Sequence, residues 1–473
     1  MKIILENFGI IKEFEFDTDD NFTFIIGKNN TGKSYAISAI YLIMKNILEQ
    51  KEIFMFRYNF FKEGDILSKV NSYEKSLKEK NTVNIKKDME EIIKNILEIF
   101  LIKSINESFN NTFDSIDNLE NKLNNKELLI KINTNLINLS IKIKNKELYI
   151  YELVINRKIE LKKSKRNLST KLDESSIKIY MTKNQQIFLD RIRELIIYLL
   201  EDITTDSLKH IKDVHFLPAS RSGLYQALSA FGQIIAELSK SRKFTSKKIE
   251  LPSISEPVSD YFLKLSNIKI SSSKKQNKSI EVAKFIEEKI LNGKVKFKQD
   301  TKKLIFNPNN TSLELDLSYT SSMVSEISPI VSFLRYIINN NESYFGFLLP
   351  RTKKNNKTKP LIIIEEPEAH LHPDIQIELL NQFVELAKND VKFILTTHSN
   401  YMFNKFNNLI LSKELNINKT NCLIFKETET GSNIKKMDID EYGIEDENFV
   451  YTSEKLYNEK LDIIEKMNDS ESD

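Results

Sequence analysis

Glycine is scarce in this 473-residue chain, ten in all, yet two stand five residues apart in Gly27-Lys28-Asn29-Asn30-Thr31-Gly32-Lys33-Ser34. Glycines so spaced let the backbone wrap until consecutive N–H groups face phosphate oxygens. Lys33 is then positioned to neutralise β and γ phosphates, and the Ser34 hydroxyl to ligate Mg²⁺. The apolar run FTFII precedes the loop and YAISAIYLIM follows it. The motif therefore lies between a strand and a helix whose N-terminal dipole favours an anion. The expected ligand is ATP with Mg²⁺, held by residues Gly27 to Ser34 and by Tyr35.

A second constellation is LIIIEEPEAHLHP, where four aliphatic residues run into Glu365 and Glu366. An acid closing a buried strand beside such a loop can hold Mg²⁺ through water. A second acid aimed at the γ-phosphate can polarise the attacking water. Aspartate is usual at the first position, and the longer Glu365 still offers a hard oxygen ligand. FILTTHSN repeats the pattern, a buried strand ending in Thr396, Thr397 and His398. Three of the five histidines, His370, His372 and His398, fall in these two loops. His398 is placed to hydrogen-bond a γ-phosphate. A zinc site built from His370, His372 and Glu368 competes, but no thiolate completes its shell.

Taken together, the motifs resemble the ABC-type ATPase heads of the SMC, RecF and OLD (overcoming lysogenisation defect) group, especially the AAA15/AAA21-like ATPases of bacterial defence systems. The resemblance covers residues 1–64 and 210–430 and implies an α/β fold, an ABC-type P-loop head with a mixed sheet plus an inserted helical and β lobe. It implies that residues 27–34 are Walker A, Glu365 the Walker B acid, Glu366 the catalytic base, LHPD the D-loop and His398 the switch histidine. It further implies a signature loop that caps ATP from the opposite protomer, hence a homodimer or higher oligomer. The candidate is LSYTSSMVSEIS, where Ser321 and Ser322 open an apolar helix with Glu326 four residues on. Met323 stands where the family usually has glycine, and a plain helix N-cap is the other reading. Arg221 in LPASRSG is expected to face nucleotide or a partner.

These residues need a scaffold. KIILENF, IKEFEF and FTFII read as short strands, followed by the loop and a helix. No glycine or proline occurs between Gly64 and Pro218, and all nine prolines lie from Pro218 onward. That stretch divides into amphipathic helices, around residues 73–105, and a period-two region at 128–163 that reads as strands. The expected organisation is a head segment at 1–64 carrying Walker A, an inserted lobe at 65–209, and a second head segment at 210–435. An acidic tail covers 436–473, with 13 acids and three lysines from Asp438 on.

Composition excludes more than it assigns. With 70 Lys+Arg against 67 Asp+Glu, the net charge of +3 gives no reason to expect a dominant polyanionic partner. Cys422 is the sole cysteine and cannot form an internal disulfide, which fits a reducing, cytoplasmic location. No apolar run reaches bilayer length, so no membrane association is expected. The insertion is too short for a long coiled coil. The DxD at 438–440 lacks the strand that a nuclease site would need. Two readings follow: an ATPase subunit of an antiphage complex controlling a separate effector nuclease or toxin from a neighbouring gene, or a RecF/SMC-like repair ATPase that binds DNA directly. The lysine-rich region 267–304 leaves DNA or RNA contact possible, though a solvated face is the plainer reading.

Overall fold

The computed structural model of the protein describes residues 1–57, 63–124, 126–164, 168–181, 185–227, 254–270, 277–338, 358–389 and 391–470. An eleven-stranded mixed sheet organises them. Its order is Ile211–Leu217, Lys359–Glu365, Lys392–Thr397, Phe22–Gly27, Thr420–Thr428, Gly431–Lys436, Ile11–Asp17, Lys2–Phe8, Leu129–Asn133, Ile137–Lys144 and Glu147–Ile155. The first five strands are mutually parallel. Antiparallel hairpins dominate the rest.

The near-continuous apolar runs of the central strands follow from burial on both faces. Ile25, Leu361, Ile363 and Ile394 project into one core, while Phe24, Ile26, Ile362, Ile364 and Leu395 project into the other. The helix Lys33–Arg57 covers the first face through residues such as Ile37, Ile40 and Met44. Helices Pro373–Asn389 and Asn400–Leu411 cover the second. There Phe406 stacks on Phe24 with ring centroids 4.2 Å apart.

The expected insertion at 65–209 is only partly a separate body. Its helices Glu63–Glu79, Lys86–Leu97 and Lys103–Phe113 and a small four-stranded sheet form as the patterns suggest. Its strands Leu129–Asn133, Ile137–Lys144 and Glu147–Ile155 instead continue the head sheet, in register from Lys2 opposite Asn133 to Glu6 opposite Leu129. The physical reason is the open edge of Lys2–Phe8, whose free N–H and C=O groups are satisfied by the added strand. One core consequently runs from Ile25 through Ile105 to Ile150.

Of the lysine-rich region, residues 271–276 lie outside the described residues. The strand Gly293–Lys298 turns Val295 and Phe297 inward and leaves Lys294 and Lys296 exposed, the pattern of a solvated sheet face. The acidic tail contains the helix Val450–Ser470, which stands clear of the core with Leu456, Tyr457 and Ile463 exposed. Among the described residues no helix is long and apolar enough to cross a membrane.

Candidate functional site

The phosphate loop leaves the strand Phe22–Gly27 in the parallel part of the sheet and enters the helix that begins at Lys33. Gly27 (φ +145°) and Gly32 (φ +89°) occupy backbone conformations that side chains rarely adopt. A Cβ on Gly27 would also lie 2.6 Å from the Phe425 carbonyl oxygen. Lys33 is 7% exposed, and its Nζ donates to the carbonyls of Gly27 (3.0 Å) and Lys28 (2.7 Å). Burial pushes its pKa down to about 8, against the pull of Glu366, Glu368 and Glu365. Such a cation, solvated only by carbonyl dipoles, gains from an incoming anion.

Glu365 ends the adjacent parallel strand but one, in register with Thr396. Burial raises its carboxyl pKa, opposed by the Ser34 hydroxyl and the Ala219 N–H. Its Oε1 is buried without a hydrogen-bond partner. An orphaned carboxyl oxygen beside a serine hydroxyl fits a hard divalent cation, which would supply the missing partner.

Glu366 turns into the left-handed region (φ +42°), its N–H bonded to the Thr396 carbonyl at 3.0 Å. Its Oε1 lies 3.5 Å from His398 Nε2. Burial and the Lys33 ammonium lower the His398 pKa, with Glu366 opposing, so the ring stays neutral further into the acid range than a free imidazole. Glu368, considered in the sequence only as a zinc ligand, accepts from Thr397 Oγ1 (2.7 Å) and the His398 N–H (2.6 Å), tying the two loops together.

Lys33, Ser34, Glu366, Thr396 and His398 open on one cleft of about 910 Å³. Asn29, Asn30, Thr31, Gly32 and Tyr35 also line it, whereas Gly27 and Lys28 do not. The Tyr35 ring packs on Phe113 at 5.1 Å between centroids. The opposite wall was not foreseen. It comes from residues 118–123, assigned above to the insertion, and is anchored where Gly9 N–H meets the Leu119 carbonyl at 2.6 Å.

Other expected residues lie elsewhere. His370 and His372 are exposed outside the cleft, and among the described residues no His, Cys, Asp and Glu group could hold a metal ion by itself. Ser321 and Ser322 are also exposed and do not line the cleft; the Ser321 hydroxyl accepts from Val324 N–H as an N-cap. Arg221 corrects the expectation of a nucleotide- or partner-facing group, because it is wholly buried. Its burial is tolerated because five acceptors meet its five donors, and all but the Pro218 carbonyl lie far outside LPASRSG, on Glu326, Glu365 and Glu366.

A phosphate loop in the parallel part of the sheet, with the Glu365 strand end beside it, is the arrangement of a P-loop nucleotide-binding domain. The sequence model of the AAA ATPase domain family (AAA_15) matches residues 1–403, and the chain belongs to that family. A comparison with curated proteins found no match. Among solved structures, the chain is similar to an SMC head bound to the C-winged helix domain of ScpA, with 9% identity over 93% of this chain and 98% of that one and a TM-score of 0.39. It is similar to an SMC head domain from Thermotoga maritima at 10% identity, coverage of 93% and 98%, and TM-score 0.35. A Smc head with extended coiled coil from Pyrococcus furiosus, bound to the C-terminal domain of ScpA, gives 11% identity, coverage of 97% and 98%, and TM-score 0.37.

Proposed function

We propose that this chain binds MgATP in the cleft, hydrolyses it with Glu366 as general base, and serves as the ATPase subunit of a bacterial antiphage complex that controls a separate effector nuclease or toxin. The observation that carries the catalytic reading is the convergence of Lys33, Glu366 and His398 on one cleft, with the Glu366 carboxylate 3.5 Å from the His398 ring. Lys33 and the loop amides bind the phosphates. Ser34 and Glu365 would hold Mg²⁺, which offsets charge on the β and γ phosphates. Glu366 orients and deprotonates the attacking water, and His398 contacts the γ-phosphate. Ser321 and Ser322 stand outside this cleft, which supports closure of two copies about shared nucleotides, each supplying its serines to the other.

Family membership supports the ATPase reading, and the exposed helix Val450–Ser470 supports a subunit that works with a partner. Co-purification of untagged products of neighbouring genes with the tagged protein, with and without ATP, tests the effector. A retained nuclease or toxin is expected. ATP-stimulated, salt-dependent DNA binding by the isolated protein would instead turn the assignment to a repair ATPase.

The His398 environment sets a pH expectation. Because its pKa is lowered, the neutral ring persists as pH falls through the ordinary imidazole value of about 6.5. The ratio kcat/KM, which reports groups of the nucleotide-free protein, should therefore hold through that point and decline only below it. A profile measured between about pH 8 and 5 whose acid limb has its midpoint at or above 6.5 contradicts this role.

A further inference from the structure

We propose that Arg221 and Glu326 are positioning residues, a buried linkage that sets the catalytic turn at Glu366 according to the position of the helix Ser322–Ser332. The inference rests on the hydrolytic role of Glu366 proposed above.

The geometry is unusually complete. Arg221 has 0% and Glu326 1% exposure. A guanidinium carries five N–H donors in a planar fork. Here Nε donates to the Glu326 carbonyl (3.3 Å). One terminal nitrogen donates to the carbonyls of Pro218 (3.1 Å) and Glu365 (2.8 Å). The other reaches the Glu366 carbonyl (3.2 Å) and the Glu326 carboxylate (3.3 Å). Five contacts thus meet five donors, and two of them hold the consecutive carbonyls that flank the left-handed turn.

Glu326 closes the linkage from the other side. Its carboxylate accepts from the backbone N–H groups of Arg221 (3.1 Å) and Ser222 (3.1 Å) and from the Ser222 hydroxyl (2.7 Å). It thereby caps the helical residues 221–227. Glu326 belongs to the helix Ser322–Ser332, which opens at the exposed Ser321 and Ser322. A displacement of that helix is transmitted through one rigid ion pair to the backbone carrying Glu366. Glu366 has φ +42°, so its conformation depends on such outside restraint. A lysine at 221 keeps the positive charge but has three donors and no fork, so it cannot hold both carbonyls and Glu326 together.

The test compares Arg221→Lys, Glu326→Gln and the double variant with the parent protein, measuring ATP turnover, ATP affinity and thermal unfolding. Arg221→Lys is expected to lower kcat on the order of 10²-fold, the effect of a misplaced catalytic group, with ATP affinity within about threefold of the parent. Glu326→Gln should move kcat in the same direction. The double variant should fall no further than Arg221→Lys alone, because the two act as one unit. The proposal is overturned if folded Arg221→Lys turns over ATP within about threefold of the parent, if the two losses add, or if kcat and affinity fall together with the unfolding temperature. Glu366→Gln is the control. If it too leaves turnover unchanged, the hydrolytic assignment fails; if it abolishes turnover while Arg221→Lys does not, only the linkage fails.

Discussion

Lys33→Ala is expected to weaken nucleotide binding severely and, with it, turnover. Lys33 is nearly buried, bonded only to loop carbonyls among the described residues, and placed where a phosphate would be its first anionic partner. Deleting one member of a desolvated charge pair costs about 2–5 kcal/mol, which is roughly 30- to 5000-fold in Kd. The folded state should not suffer, because the substitution also removes an ammonium whose pKa burial has already lowered to about 8. Calorimetric titration with MgATP, paired with thermal unfolding, separates the two effects. ATP affinity close to that of the parent protein in a folded Lys33→Ala variant would show that the loop does not serve phosphate.

Glu366→Gln should do the opposite to occupancy while stopping chemistry. The amide keeps the shape and hydrogen-bonding reach of the carboxylate but cannot accept the proton of the attacking water. Loss of a positioned general base lowers the rate by about 10²–10⁴-fold. The left-handed turn at 366 is anchored by backbone bonds to Thr396 and Arg221, neither of which uses the carboxylate. ATP should therefore still bind, and the proposed ATP-closed dimer should accumulate because it no longer opens by hydrolysis. Size-exclusion chromatography with light scattering, with and without MgATP, reads this directly. A monomer under both conditions argues against the shared-nucleotide arrangement, and undiminished phosphate release removes Glu366 from the mechanism. The two variants also bracket the cycle, since the first is blocked before binding and the second after it.

The site was legible in the sequence where local chemistry and local structure coincide. Gly27 and Gly32 had to be glycine because a Cβ would strain the backbone or strike the neighbouring strand, and that demand is written in the spacing itself. Glu365, Glu366 and His398 were legible because each ends an apolar run, which marks the end of a buried strand. Glu368 was visible only as a zinc-ligand candidate in the EEPEAHLHP loop, and its service to Thr397 and the His398 N–H depends on two strands lying in register. His370 and His372, which entered the sequence reading only through the competing zinc site, share that loop yet are exposed and do not line the cleft.

The sequence by itself determined the phosphate loop, the acidic end of the Glu365 strand and the α/β class of fold, since glycine conformations and hydrophobic periods are properties of short segments. Only the tertiary structure decided which strands lie side by side, that Leu129–Asn133 seals the edge of Lys2–Phe8, and that residues 118–123 wall the candidate cleft. It alone decided that Arg221 is enclosed by carbonyls of Pro218, Glu326, Glu365 and Glu366. The reason is that, Pro218 apart, the groups that satisfy this buried side chain lie more than a hundred residues away along the chain. No local pattern records where those partners will meet.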